Sequence, residues 1–355
     1  MEGALSSTVP GTQDDAATLT GGAGTGGSSG RGVRRLRLVL GVAVLGLVVG
    51  LVLRVHSALT GFVSAFKHFP LGRLPLVAVA AALEAASLVA SAMVQRKLLG
   101  TGGFVLRVRT LLALVVASTA VVDLLPAGVA PANGWLVEQY RLRQAPLPLA
   151  LWDVLAAGFA STVCVLALVL IGAGAAGVWS PVGLAACGAV LVVGSSGFVA
   201  LVHRFAGRPR TAEVGRRGRV WTKVQHTVEL AVQYRLSHRD GVAVLAYSSL
   251  NWLLDAACLV LAFVMIGFPV PWAAVLFAYA GSQVLGGLSF LRLGVVEGGL
   301  VGAFVLTGVP VARALAATLM YRVFAYWLVS AVGLVVLVVV NRRQRLAGDL
   351  KGAPS

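Results

Sequence analysis

Two arginines and a glutamate stand where this apolar chain should carry no charge, with a tyrosine one turn from the second arginine. Arg292 and Glu297 fall in the run Gly286-Gly287-Leu288-Ser289-Phe290-Leu291-Arg292-Leu293-Gly294-Val295-Val296-Glu297-Gly298-Gly299, which separates two apolar stretches. A charged side chain at the centre of a bilayer costs about 2.5–3.5 kcal/mol on insertion scales, so it is kept for a reason. Glycines such as Gly294 free the backbone and let a ligand approach closely. Broken apolar segments are where membrane transporters place substrate sites. Arg322 lies about nine residues, or about 13 Å at the helical rise, into the last apolar stretch. Tyr326 follows one turn later on the same face. A guanidinium there suits either of two tasks, bidentate contact with a phosphate or neutralisation of Glu297, and the sequence leaves both open. Glu84, Asp123, Asp153 and Asp255 also lie in or beside apolar segments. Interhelical pairing accounts for them, since lipid supplies no hydrophobic force to hold helices together. Asp153 also sits near a helix start, where a carboxylate suits the dipole.

These residues must be carried by membrane helices. Of 355 residues, 58% are hydrophobic and 12% charged, and mean hydropathy is +0.89; soluble domains carry roughly 25% charged residues. The long non-alternating runs argue for helices and against a β-barrel. The net charge of +16 fits basic cytoplasmic loops and anionic lipid headgroups, not nucleic acid. Cys164, Cys187 and Cys258 read as small packing residues. The histidines match no metal-ligand spacing, and no P-loop, nucleophile elbow, dinucleotide fingerprint or zinc motif occurs. The expectation is a chain with no metal or cofactor and no enzymatic activity.

Ordinary spans are expected at about 38–53, 74–94, 149–171, 181–202, 242–266 and 314–340. Two regions are apolar but broken: 110–140, split at Leu125-Pro126-Ala127-Gly128-Val129-Ala130-Pro131, and 272–309, split at the glycine-rich run. Basic residues cluster at Arg96 to Arg109, at Arg141 and Arg143, along the linker 203–240, and at Arg342 to Arg345. Placing all of these in the cytoplasm forces each broken region to return to the side it entered. The expected fold is therefore all-α: about six full spans plus two oppositely oriented re-entrant hairpins, as in inverted repeats. The alternative is eight to ten spans. The weak point is the loop with Arg54, Lys67 and Arg73, which this scheme puts outside. Residues 1–34 read as a disordered Gly/Ser-rich cytoplasmic tail, 35–345 as the membrane domain and 346–355 as a short tail. Within the linker, Trp221, Val224, Val228 and Val232 recur at helical spacing, which suits a cationic helix on the inner leaflet or a solvated basic loop.

The chain also resembles a known family. The elements Leu293-Gly294-Val295-Val296-Glu297-Gly298, Gly308-Val309-Pro310, Ala314 to Ala317, Tyr321-Arg322, Tyr326-Trp327 and Gly333 look like the C-terminal signature of the lysylphosphatidylglycerol synthase transmembrane-region family. Leu125-Pro126-Ala127-Gly128 followed by Tyr140-Arg141-Leu142-Arg143 resembles its upstream motif. The resemblance implies a plasma-membrane protein, both termini cytoplasmic, that moves a phospholipid between leaflets. Bifunctional members add a soluble aminoacyl transferase; a chain ending at Ser355 is expected to handle lipid without the synthesis step. The implied substrate is an anionic phospholipid or a polyprenyl-phosphate lipid held between the hairpin tips. Glu297, Arg292 and Arg322, with Tyr326 and Gly294, would meet its headgroup, and Pro126 and Gly128 would shape the opposing tip. One departure stands out: members usually carry Pro-Gly-Gly before the Leu-Gly-Val-Val-Glu element, where this chain has Phe290-Leu291-Arg292. The alternative is a non-transporting subunit that scaffolds a glycosyltransferase or another cell-envelope enzyme through the basic linker.

Overall fold

A computed structural model describes residues 71–206, 229–230, 233–234, 236–290 and 292–352. The expected span at 38–53, the N-terminal tail and most of the basic linker lie outside the described residues. The regular structure among those described is all helical, with no strand among them. After a short turn (Leu71–Arg73) come α1 (Leu74–Gly100), α2 (Val108–Leu124), α3 (Val129–Arg141), α4 (Leu147–Ala175), α5 (Pro181–Ala206), α6 (His238–Met265), α7 (Trp272–Leu288), α8 (Arg292–Leu306) and α9 (Val311–Arg322). A π-helical turn (Val323–Leu328) leads from α9 without interruption into α10 (Val329–Gly352).

Four described helices are long and apolar enough to cross a membrane: Leu74–Gly100, Leu147–Ala175, His238–Met265 and Val311–Gln344. Their apolar side chains point in all directions, as in helices surrounded by lipid or protein. On α5, Val182, Val190 and Val193 are 70–80% exposed, a surface that lipid covers and water would not tolerate. Cys187 belongs to this exposed face and is not a packing residue, whereas Cys164 and Cys258 are buried as expected.

The broken regions are helix pairs that fold back. The arms α2, α3, α7 and α8 have 17, 13, 17 and 15 residues, each short of the roughly 20 needed to span hydrocarbon. In the second pair a Cβ on Gly286 would strike the Val296 side chain, and one on Gly299 would lie 3.4 Å from Ser282 Cα. Contacts that spread symmetrically from residue 291 mark an antiparallel return. In the first pair, Leu111 and Leu114 pack in one cluster with Leu136 and Tyr140. The first break is shorter than expected, Leu125 to Gly128, because Pro131 is absorbed into the first turn of α3. The N–H groups of a first turn have no intrahelical partner, so proline is tolerated there.

The two hairpins enter from opposite ends. At one end Lys97 of α1 pairs with Asp240 of α6 at 3.0 Å. There too Trp135 Nε1 of α3 donates to Asn341 Oδ1 of α10 at 3.3 Å, and the Gln139 and Gln344 amides bond each other. This end collects Arg96, Lys97, Arg109, Arg141, Arg143, Arg239, Arg342 and Arg343, the side the charge count places in the cytoplasm. At the other end Arg73, the weak point of that count, donates from Nη1 to the Met265 carbonyl at 2.6 Å. It caps the C-terminus of α6, where a cation suits the helix dipole. The last span starts at Val311, earlier than expected, and its helix continues to Gly352.

Close packing joins the hairpins to the spans. A Cβ on Gly333 would strike the Val116 carbonyl oxygen and lie 2.7 Å from Ala120 Cβ, so α10 and α2 touch backbone to backbone. Phe263 and Phe304 meet edge to face at 4.9 Å between centroids, binding α8 to α6.

Two predictions follow from this packing and charge layout. Gly333→Val should lower the detergent melting temperature, at an overpacking cost of about 1–3 kcal/mol. Gly302→Ala, where a Cβ meets nothing within 4 Å, should be neutral or slightly stabilising. Equal losses would show that the close approach is unimportant. In intact cells, single cysteines near Ala176 and Pro269 should react with impermeant reagents, while one in the 203–240 linker should not. Outside labelling of the linker would invert the assignment.

Candidate functional site

The hairpins meet tip to tip. Each turns through one residue in the left-handed region, Ala127 (φ 49°) in the first and Gly294 (φ 87°) in the second. Glycine adopts this conformation freely; alanine does so under strain of the kind that gathers at functional sites. The Ala127 N–H donates to the Phe290 carbonyl at 2.7 Å, a backbone hydrogen bond from one tip to the other. Backbone at membrane depth needs such a partner, because hydrocarbon offers none.

Gly294 also starts the helical part of α8. Leu293 and Gly294 are non-helical, and the Gly294 N–H donates to Glu297 Oε2 at 2.6 Å. Glu297 is thus the acidic member of a capping box, three residues into the helix and reaching back to its start. Its other oxygen, Oε1, stands 2.9 Å from Arg322 Nη2. Glu297 holds the shape of its own tip and presents a charge to α9. The Arg322 side chain is 8% exposed and its Cζ lies 5.0 Å from the Tyr326 ring centroid, a cation–π distance. The π-helical turn begins at the next residue and carries Tyr326; such turns often mark functional positions. The Nε of Arg322 has no hydrogen-bond acceptor among the described residues. A buried guanidinium held by one ion pair therefore keeps donor capacity for an oxygen-rich group.

Arg292 fills the space between the hairpins. Its Nη2 donates to Gln283 Oε1 at 2.7 Å, and its Nη1 is 3.9 Å from Asp123 Oδ1, at the end of α2. The Tyr326 hydroxyl donates to the Asp123 carbonyl at 3.0 Å. The first hairpin, the second hairpin and the last span thus converge within one polar network. Beside it, Leu124, Leu125, Leu288 and Phe290 of the tips are 45–83% exposed.

Of the residues singled out from the sequence, Arg292, Glu297, Arg322 and Tyr326 come together, with Gly294 at the turn that fixes them. Pro126 and Gly128 shape the opposing tip without joining the charged network. Pro126 is exposed, and Gly128 is buried where a Cβ would strike carbonyls of its own hairpin at 2.5 Å. Asp123 and Gln283 belong to the network, although the sequence pointed to Asp123 only as an interhelical pair and not to Gln283 at all. The only signal for Gln283 was an amide in an apolar helix nine residues before Arg292. Asp153 is not a first-turn carboxylate; it is fully buried in the second turn of α4. The upstream motif closes the other end of the first hairpin. There Tyr140 is fully buried and donates to Gln95 Oε1 at 2.9 Å, and Arg143 Nη1 donates to the Gln139 carbonyl at 2.7 Å.

No curated protein matches the chain, and no solved structure does. The sequence profile of the family described as the lysylphosphatidylglycerol synthase TM region matches residues 38–333. That interval holds both hairpins, all the charged residues at their tips and the glycine that seats α10 on α2. The chain is a helical integral membrane protein and belongs to this family.

Proposed function

We propose that this protein is a lipid translocase and not an enzyme, moving a lipid-linked phosphate between leaflets with its headgroup at the meeting point of the two hairpins. The observation that carries this reading is Arg322, buried at the tip-to-tip contact, with Glu297 Oε1 2.9 Å from its Nη2 and no acceptor for its Nε among the described residues. A phosphate that placed one oxygen on Nε and a second on Nη2, in competition with Glu297, would take up the bidentate geometry that guanidinium favours. Arg292, between Gln283 and Asp123, supplies a second cation to the same network, so a headgroup could engage both arginines. The exposed leucines and Phe290 on the same tips suit acyl or prenyl chains lying beside a polar headgroup. Broken helices from opposite faces, meeting near mid-depth, are the architecture in which rocking of one half against the other gives alternating access. Arg292 takes the place of the last glycine of the Pro-Gly-Gly that the family resemblance leads one to expect, and it adds a charge at the tip that would bias the carrier toward anionic headgroups.

Proteoliposome assays test the reading, with fluorescent phosphatidylglycerol in one arm and a short-chain polyprenyl phosphate in the other. Movement of either identifies the source of the phosphate; movement of neither overturns the proposal. Glu297→Gln and Arg322→Gln should each abolish movement. Each should also destabilise the folded protein, by up to about 3–5 kcal/mol, because it leaves a buried charge unpaired. The neutral double variant should regain much of that stability in a detergent melting cycle but no transport. A double variant that regains both would leave the pair a purely structural role.

A further inference from the structure

One carboxyl group of span α6 receives a side chain from each of two elements that serve the tip site. Asp255 accepts from the Tyr279 hydroxyl of α7 at 2.7 Å on Oδ2, and from the Tyr321 hydroxyl of α9 at 2.8 Å on Oδ1. Both tyrosines are fully buried. Their rings meet edge to face at 6.4 Å between centroids, and Tyr279 meets Trp252, one turn before Asp255, at 6.2 Å. Span α6 is itself held along its length. Lys97 pairs with Asp240 at one end, Arg73 donates to the Met265 carbonyl at the other, and Trp252 Nε1 between them donates to Ser161 Oγ of α4 at 3.2 Å.

Each tyrosine leads to one arginine. Tyr321 and Arg322 are consecutive on α9, and consecutive side chains of a helix point about 100° apart. With Tyr321 turned to Asp255, Arg322 is turned to Glu297 of α8, at 2.9 Å. Gln283 stands one turn after Tyr279 on the same face of α7, and its Oε1 accepts from Arg292 Nη2 at 2.7 Å. The carboxyl group that fixes Tyr279 and Tyr321 therefore also fixes the holder of Arg292 relative to Arg322. Two cations serve one ligand only while the side chains behind them are locked in place.

We infer that Asp255 is a positioning residue for the headgroup site: through its two tyrosines it sets the spacing of Arg292 and Arg322, so that one lipid phosphate meets both. The inference rests on the functional reading above. Asp255 acts through the tyrosines and makes no contact of its own with the headgroup. Loss of either tie frees α7 or α9 to shift against α6, and the phosphate then keeps one arginine and not two. Removing Arg292 from such a protein costs little more, because its contact is already lost.

The test is calorimetry of dihexanoyl phosphatidylglycerol binding to the solubilised full-length protein, with a detergent melting temperature for every variant. Tyr321→Phe, Tyr279→Phe and Arg292→Gln should each weaken binding about tenfold, the scale of one hydrogen bond to a charged group. No hydrogen bond among the described residues joins Tyr321 to Arg292, so independent losses would multiply to about a hundredfold. Tyr321→Phe and Arg292→Gln combined in one chain should instead stay near the loss of either alone. Tyr140→Phe removes an equally buried hydroxyl at the far end of the first hairpin; it should lower the melting temperature and leave the affinity unchanged. Losses that multiply in the double variant would overturn the inference. So would a loss in Tyr140→Phe equal to that in Tyr321→Phe, or wild-type affinity in Arg292→Gln or in both tyrosine variants. Each of these results leaves the translocase reading in place. Each tyrosine change removes a single oxygen atom, and should one variant fail to fold the other decides. Absence of binding by the wild type would overturn both the translocase reading and the inference.

Discussion

The hydrogen bond from Ala127 to the Phe290 carbonyl joins two broken backbones whose polar groups lipid cannot satisfy. Hydrocarbon tolerates interrupted helices only where protein or a water-filled cavity covers them. Each hairpin therefore needs the other, and the spans are arranged so that they can meet. The strained φ of Ala127 is part of that arrangement, since the turn must aim its N–H at the opposing tip.

Around this contact the same side chains serve shape and charge together. Glu297 caps α8 through one oxygen and pairs with Arg322 through the other. Arg292 bridges Gln283 of its own hairpin to Asp123 of the other. Tyr326 stacks under Arg322 and ties its hydroxyl to the end of α2. A headgroup that engaged either arginine would compete with a contact that holds the hairpins. That competition gives the bound and unbound states different internal bonding, which a carrier needs in order to change conformation with occupancy.

The small residues complete the scheme. Gly172 lies so near α7 that a Cβ would stand 2.5 Å from the Phe277 nitrogen, and Gly333 seats α10 on the first hairpin. Close backbone approach replaces the hydrophobic force that lipid cannot supply. It leaves most of each span free to face the bilayer, and the exposed valines of α5 do so.

Much of this was legible in the sequence. Hydropathy marked the spans, and the distribution of arginine and lysine gave the parity that turns 110–140 and 272–309 into hairpins, because both signals are local sums over residues. The pairing of Arg322 with Glu297 was one of two open readings. Only the tertiary structure decided it, by bringing α9 against the start of α8. Breaks were located to within a few residues but drawn too long, since a proline in a first helical turn reads as a breaker until its position in the turn is known. Asp123 and Gln283 lie far from Arg292 in sequence or carry no charge, and no periodicity points from one to the other. Asp255 and Glu84 read as separate interhelical residues; that tyrosines from two other helices close on Asp255 depends on how α6, α7 and α9 pack. A sequence records which side chains are costly in a membrane, but which charge answers which is fixed only when the helices meet.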